Sequence, residues 1–473
     1  MANPPLHSPS QIESNVEAAN ESAAEAVIFP ESEHPISEAQ LDREALKVLY
    51  RLRDAGFKGY LVGGGVRDLF LGKEPKDFDI STDARPGQLR RLFRNSRTIG
   101  RRFRLVQVFF RGNKIIEVST LRSKSEYEED GEGELLASNN TFGTLEEDAF
   151  RRDLTINALF YEIENRTVID YVGGVEDLHR GVIRMVGDPG QRFSHDPVRM
   201  LRVVRHAART GFSIDPATNA ALQQHSGELM LCPPSRLRDE ILKDLRSGSA
   251  RPWAEQCMAT ALWPALFPFY QEGGKTGGRD EASQALLRIL GEIDQVYQAA
   301  SEENPVHIED YFLFAALLLP WVSRQFNLPA ERLRGPQFHE RFAALRDAIG
   351  EQFGMPFNIP RMAKERISTL MINLSTLHHA GNGKDHPKWL KKKSYYPECK
   401  RLYDLYLLGQ GKHAAGIAAE DFSPPPAKQK QSEVEVISAV QGSSSSSRGR
   451  GGGNPAFSSK KSGVFGLRSK RHA

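Results

Sequence analysis

Cysteine is scarce in this chain. Cys232, Cys257 and Cys399 are the three among 473 residues, far apart and without a CxxC pair. That spacing argues against a disulfide framework and a clustered-cysteine zinc site, and it suits a reducing cytoplasm. No stretch approaches the roughly 20 consecutive apolar residues of a membrane-spanning helix. The N-terminus lacks the basic-then-apolar layout of a secretory signal, and it is acidic where a mitochondrial presequence is basic. Charge of one sign is missing at each end. Residues 1–42 hold no Lys or Arg, only acids from Glu13 to Asp42, whereas 443–473 hold no Asp or Glu but carry Arg448, Arg450, Lys460, Lys461, Arg468, Lys470 and Arg471. A basic Gly/Ser-rich tail suits contact with nucleic-acid phosphates, or serves as a solubilising segment. There is no internal repeat.

What is present fits a soluble protein with sizeable cores: 39% hydrophobic and 26% charged residues, with a length suggesting roughly three domains. Composition predicts disorder over 1–35 and over the low-complexity stretch 423–473. Between them, Ser37 is placed to cap a helix Glu38–Ala55 that Gly56 ends. Short strands are expected at Tyr60–Val62 and Phe78–Ser81, with helices at Val66–Leu71 and Gln88–Phe93. A hairpin is expected from Leu105–Arg111 and Lys114–Leu121 around Gly112-Asn113. Residues 122–148, polar and acidic, read as a mobile loop. A mixed, mostly antiparallel α/β unit therefore spans about 40–170. From about 190 to 410 the periodicity is helical, with clear segments at Ala285–Ala300 and Asp310–Phe326.

The chemistry concentrates in a few places. Leu61-Val-Gly-Gly-Gly-Val-Arg-Asp68 puts Gly63, Gly64 and Gly65 where backbone N–H groups approach a phosphate closely. Arg67 is suited to a triphosphate, to Asp68 or to a metal-site carboxylate. Nine residues on, Asp77-Phe-Asp79 offers two carboxylates at i and i+2, which a strand projects to one face. Such a pair repels unless a cation lies between, and Mg²⁺ takes these oxygen ligands while keeping positions for phosphate. Glu117, alone in an apolar strand, is the candidate third carboxylate. In Arg151-Arg-Asp-Leu-Thr-Ile-Asn157, Arg152 suits phosphate and Asn157 a sugar or base, with Asp153 between them or capping a helix Leu154–Phe160. Asp196-Pro197 reads as a helix start, and Arg199, Arg202, Arg205 and Arg209 then form one basic stripe beside an apolar one. Two basic patches complete the set: Arg101, Arg102 and Arg104 at the mouth of the hairpin, and Lys388, Trp389, Lys391 and Lys392 followed by Tyr395 and Tyr396, a mixture suited to single-stranded RNA.

LVGGGVRD, KDFDIST, IGRRFRLVQV, RRDLTINALFY and DYVGGVEDLHRGVIRMVGDP…HDPVRMLR occur in order. Together they resemble the bacterial poly(A) polymerase and class II CCA-adding tRNA nucleotidyltransferase family, continuously over about 36–245. The resemblance implies an α+β protein: a small polymerase-beta-like nucleotidyltransferase head (36–184), then a helical neck (185–248) and body (249–422), with disordered termini. It implies Asp77, Asp79 and Glu117 as ligands of Mg²⁺ or Mn²⁺, and Asp153 as the catalytic or sugar-side aspartate with Asn157 beside it. It further implies Asp196 and Arg199 as readers of the incoming base, with Arg202 on the same helix. The implied substrates are ATP and RNA 3′ ends, with RNA-decay proteins as partners of the basic tail. The pattern is nearer the poly(A) polymerases than the CCA enzymes. One position departs from it: the neck motif usually begins with Glu, and here it begins with His195.

Overall fold

The structure, a computed structural model, describes residues 25–100, 104–123, 142–271, 281–301, 304–380 and 386–423. Eight strands form one sheet in the order β1-β8-β7-β2-β3-β6-β5-β4. They are β1 (Val27–Phe29), β2 (Gly59–Val62), β3 (Asp79–Thr82), β4 (Ser96–Ile99), β5 (Leu105–Phe109), β6 (Ile115–Thr120), β7 (Leu159–Glu162) and β8 (Thr167–Asp170). All neighbours are antiparallel except β3 and β6. Alternation fixes the faces. Val106, Val108, Ile116, Val118 and Ile80 are buried in the main core, while their neighbours Phe109 and Ile115 on the other face are exposed. A smaller apolar group of Tyr60, Val62, Leu121, Ala149 and Phe160 covers only the β2–β7 part of that second face.

The remainder is mostly helical. One continuous core runs from Ile36 to Phe422, and the described residues form a single compact unit. Trp253, Trp263, Phe267, Phe269, Phe353 and Phe357 interlock within it through edge and tilted ring contacts. The three cysteines are buried and free. No helix among the described residues is long and apolar enough to cross a membrane.

Several local expectations change. Val27–Phe29 is not disordered: three β-forming residues add an edge strand to β8. The first long helix is Arg43–Asp54, because Asp42 accepts from the N–H groups of Glu44 and Ala45. Ser37 heads only a one-turn 3₁₀ segment, Glu38–Gln40. Leu154–Phe160 is not a helix: Thr155–Asn157 makes a single turn, and Leu159–Glu162 pairs with both β2 and β8. Part of the supposed loop is the helix Leu145–Phe150, capped by Thr144, whose hydroxyl accepts from Glu147 N–H. Residues 1–24, 124–141 and the basic tail 424–473 lie outside the described residues, so the expectations for them stay as stated.

Candidate nucleotidyl-transfer site

β2 ends at Val62, and the chain turns through Gly63 at φ 72°, ψ −139°, a conformation open to glycine and strained for other residues. A β-carbon there would lie 3.6 Å from Arg152 Nη1 and 3.9 Å from Asp79 Oδ2, so the bare backbone borders both groups. Gly64 and Gly65 begin the helix Gly64–Phe70. Gly65 is a packing requirement, since a β-carbon would sit 3.2 Å from the Asp77 carbonyl.

Asp79 opens β3, flanked by Val62 of β2 on one side and Glu117 of β6 on the other. Register therefore places Asp79 and Glu117 side by side on one face, and Gln107 of β5 donates from Nε2 to Glu117 Oε1 at 3.0 Å. Protein packed around the Asp79 carboxyl, then the charges of Glu117 and Asp77, push it up to about 6, while Arg152 pulls it down. Asp77 stands just before β3 and is exposed, so strand pairing does not lock it to the face it was expected to share. Among the described residues no three His, Cys, Asp or Glu side chains form a ready cage for a metal. The donor set nevertheless fits a hard divalent cation: carboxylate oxygens crowded enough to raise the proton affinity of Asp79, in an open position.

Arg152 is held in place by Asp148, which accepts from its Nε at 3.2 Å and its Nη2 at 2.9 Å, and also from Arg151 Nε at 2.8 Å. Burial pushes the Asp148 carboxyl up, but Arg152 and Arg151 outweigh it and hold it below the usual range. Asp148 was missed by sequence reasoning. Its signal was the Thr144…Glu147 capping box followed by an acid three and four residues ahead of the two arginines.

Arg67 is held within the protein. It is 4% exposed and its donors are engaged: Nε and Nη2 to Asp68 Oδ1 at 2.9 and 2.7 Å, and Nη1 to Asn157 Oδ1 at 2.7 Å. Asn157 in turn lies 3.3 Å from His206 Nε2, so its amide belongs to this network rather than to a free sugar-binding position. His206, also unforeseen, meets Arg67 at 3.1 Å through Nδ1. Burial and then Arg67 drive its pKa down to about 3, which keeps the ring neutral. Asp153 accepts from Leu154 N–H at 2.9 Å and from Arg202 Nη1 at 3.3 Å. Burial raises its carboxyl, and these partners contribute to a net lowering.

The neck divides the arginine stripe. Asp196 does not begin the helix; it ends Pro189–His195, and the next helix is Arg199–Thr210. Its carboxylate is gripped by Arg236, at 2.8 and 2.9 Å, with Arg199 Nε 3.6 Å away. Arg199 Nε and Nη1 are shielded from water and have no hydrogen-bond acceptor, an expensive state that a ligand acceptor would relieve. Arg205 turns away, pairing with Asp244 at 2.5 Å and Glu240 at 2.6 Å on the helix Pro234–Leu245. It is a buried strut and no part of an RNA-facing ridge. His195 is exposed.

Of the basic patches, Arg101 and Arg102 lie outside the described residues. Arg104 lines a cavity of about 420 Å³ with Arg85, Arg91 and Phe142. Lys388, Trp389, Lys391 and Lys392 are exposed at and beside the short helix Lys388–Lys391, with Trp389 at the edge of a separate cavity that includes Arg332 and Arg334. Tyr395 and Tyr396 are half-buried instead, Tyr396 Oη meeting His386 Nδ1 at 2.9 Å.

Known proteins resemble this chain over most of its length. Residues 59–184 match the pattern described as the poly A polymerase head domain, and 211–272 match one described as a probable RNA and SrmB-binding site of polymerase A. Poly(A) polymerase I of Salmonella typhi is 39% identical over 376 residues, 76% of this chain and 79% of the relative. Poly(A) polymerase I of Escherichia coli O157:H7 is 38% identical over 395 residues, 81% of this chain and 82% of the relative. The CCA-adding enzyme of Bacillus subtilis is 36% identical over a shorter span, 48% of this chain and 56% of that one. Among solved structures, a tRNA nucleotidyltransferase complexed with a primer tRNA and an incoming ATP analogue aligns over 76% of this chain and 93% of its own, at 26% identity and TM-score 0.50.

Proposed function

The chain belongs to the poly(A) polymerase family, and from that premise we propose that it is a template-independent polymerase adding AMP from ATP to RNA 3′ ends. It is a nucleotidyltransferase. The observation that carries the reading is the row across the sheet: the Gly63 backbone and Arg152 on one side of Asp79, Glu117 on the other.

In this reading the triphosphate lies against Gly63 and Arg152, whose guanidinium Asp148 keeps aimed. The RNA 3′-hydroxyl approaches from the Glu117 side, loses its proton to solvent and attacks the α-phosphorus; the bond to the oxygen bridging to the β-phosphate breaks, and pyrophosphate leaves. A divalent cation such as Mg²⁺ or Mn²⁺, bound by Asp77, Asp79 and Glu117, would supply charge neutralisation at the reacting phosphate. Arg199 gives its shielded donors to the edge of the base, and Asp196, clamped by Arg236, backs it. Asp153 pairs with Arg202, which lies on the same helix as Arg199. The enzyme would act in the cytoplasm, in RNA processing and decay, with decay proteins meeting its basic tail.

Primer extension tests this. The protein is incubated with Mg²⁺ and one NTP at a time on an unstructured RNA and on a tRNA lacking its CCA end. A long ATP-specific ladder on the unstructured RNA is expected. Short additions confined to the tRNA and requiring CTP would move the chain to the tRNA-repair branch.

A further inference from the structure

The two flanks of Asp79 differ. Toward β2 lie the glycine turn and Arg152. Toward β6 the register sets up an unbroken row, Asp79–Glu117–Gln107–Arg97, each residue directly opposite the next on β3, β6, β5 and β4. Directly opposite residues share a face, so Arg97 lies on the catalytic face at the sheet's far edge. The same face carries Ile99 opposite Leu105, Leu105 opposite Ser119, and Phe109 opposite Ile115. Phe109 and Ile115 are 37% and 42% exposed, whereas their neighbours Val108 and Ile116 are sealed in the core on the other face. Arg97 is exposed and has no ion-pair or hydrogen-bonding side-chain partner among the described residues. The nearer of the two acids on this row, Glu117, is two strands away and engaged by Gln107.

We infer that this open face of β4, β5 and β6 is the track for the last nucleotides of the RNA primer, with Arg97 holding a backbone phosphate upstream of the reacting 3′ end. The inference rests on the polymerase reading and adds the direction of the RNA and the residues beneath it. Three strand spacings of about 4.8 Å put Arg97 about 14 Å from Asp79. At about 3.4 Å per stacked nucleotide, that distance is about four nucleotides. A guanidinium at the edge, an amide in the middle and exposed apolar side chains alongside are the combination that holds a single strand without reading its sequence. Gln107 is the positioning residue of the row: its amide orients Glu117 and lies beneath the strand between Glu117 and Arg97. In the polymerase reading the triphosphate takes the β2 flank, which leaves this one to the primer.

The test uses the full chain, oligoadenylate primers of two to ten nucleotides, and the variants Arg97→Ala, Arg97→Glu and Arg97→Lys. For the unmodified protein, primer KM should drop once length passes about four nucleotides. Arg97→Glu should abolish that drop, raising KM about tenfold for the longer primers while KM for ATP and the use of the shortest extended primer stay within twofold. Arg97→Lys should restore it. Independently, anisotropy of a 5′-fluorescein decaadenylate should show Arg97→Ala lowering the slope of log affinity against log salt by about 0.7, one phosphate contact on a single strand. A primer KM that ignores length, or an Arg97→Glu defect equal at every length, overturns the inference. If the unmodified protein extends nothing, the polymerase reading fails, and the salt slope still decides whether RNA lies on this face.

Discussion

Arg67 and Asp79 belong to neighbouring elements, yet their charges are treated in opposite ways. Arg67 is buried and its donors end on Asp68, Asn157 and His206. Asp79 remains open to solvent and is crowded by like charge from Glu117 and Asp77. The neck repeats the contrast within one helix, nearly two turns apart. Arg205 is sealed between Glu240 and Asp244, and Arg199 is left with two shielded donors unmet. A charge satisfied within the protein is a strut, and removing it strands its partners. A charge left unsatisfied is held for a ligand, and its removal should spare the fold.

That contrast orders the predictions. Asp79→Ala should lower adenylate addition by about a thousandfold or more, the several kcal/mol that charge neutralisation at the phosphate supplies. Its melting temperature should stay level or rise, because like-charge repulsion is relieved; a collapsed fold would place Asp79 among the struts. Arg205→Ala should behave conversely. Leaving Asp244 buried without its cation, and Glu240 with Lys243 alone, costs about 3–5 kcal/mol in urea unfolding, and activity should follow the folded fraction. Unchanged stability would show that the neck does not depend on this pair.

Arg199→Ala should lower kcat/KM for ATP by about 10- to 100-fold and narrow its preference over CTP, with little change in melting. A loss equal for all four nucleotides would assign Arg199 to phosphate or to packing instead. The smallest effect concerns acid. His206 titrates near 3 when folded, against about 6.5 when unfolded, so the unfolded chain takes up the proton first. The stability it contributes is intact above about 6.5 and is lost progressively as pH falls toward 3, on the order of 2 kcal/mol by pH 5. His206→Gln should flatten that part of the stability–pH curve, and an unchanged curve would assign the acid sensitivity to other groups.

Much of the site was legible because its chemistry is local. The glycine turn, the Asp77-Phe-Asp79 pair and the lone glutamate in an apolar strand each announce themselves within a few residues. Arg67 misled because an arginine beside glycines suits a phosphate and an ion pair equally, and the choice was made by Asn157 and His206, 90 and 139 residues away. The arginine stripe misled similarly. Spacing of three and four puts residues along one helix, but the acids of Pro234–Leu245 and the solitary Asp153 divided them between structure and site. Asp148 carried a readable signal, a capping box followed by an acid one turn before two arginines, obscured by the acidic segment that precedes it. The helix start moved from Ser37 to Asp42 because both can cap, and it is Asp42 that accepts from the N–H groups of Glu44 and Ala45.

The sequence by itself determined the family, the glycine turn, the carboxylates and the largely helical character of about 190–410, since turn chemistry and hydrophobic period act over short spans of chain. Only the tertiary structure decided which charges are struts and which remain available, and which strands lie beside β3. Register and burial bring together residues far apart in sequence, and an ionised side chain takes its role from the partner it meets there.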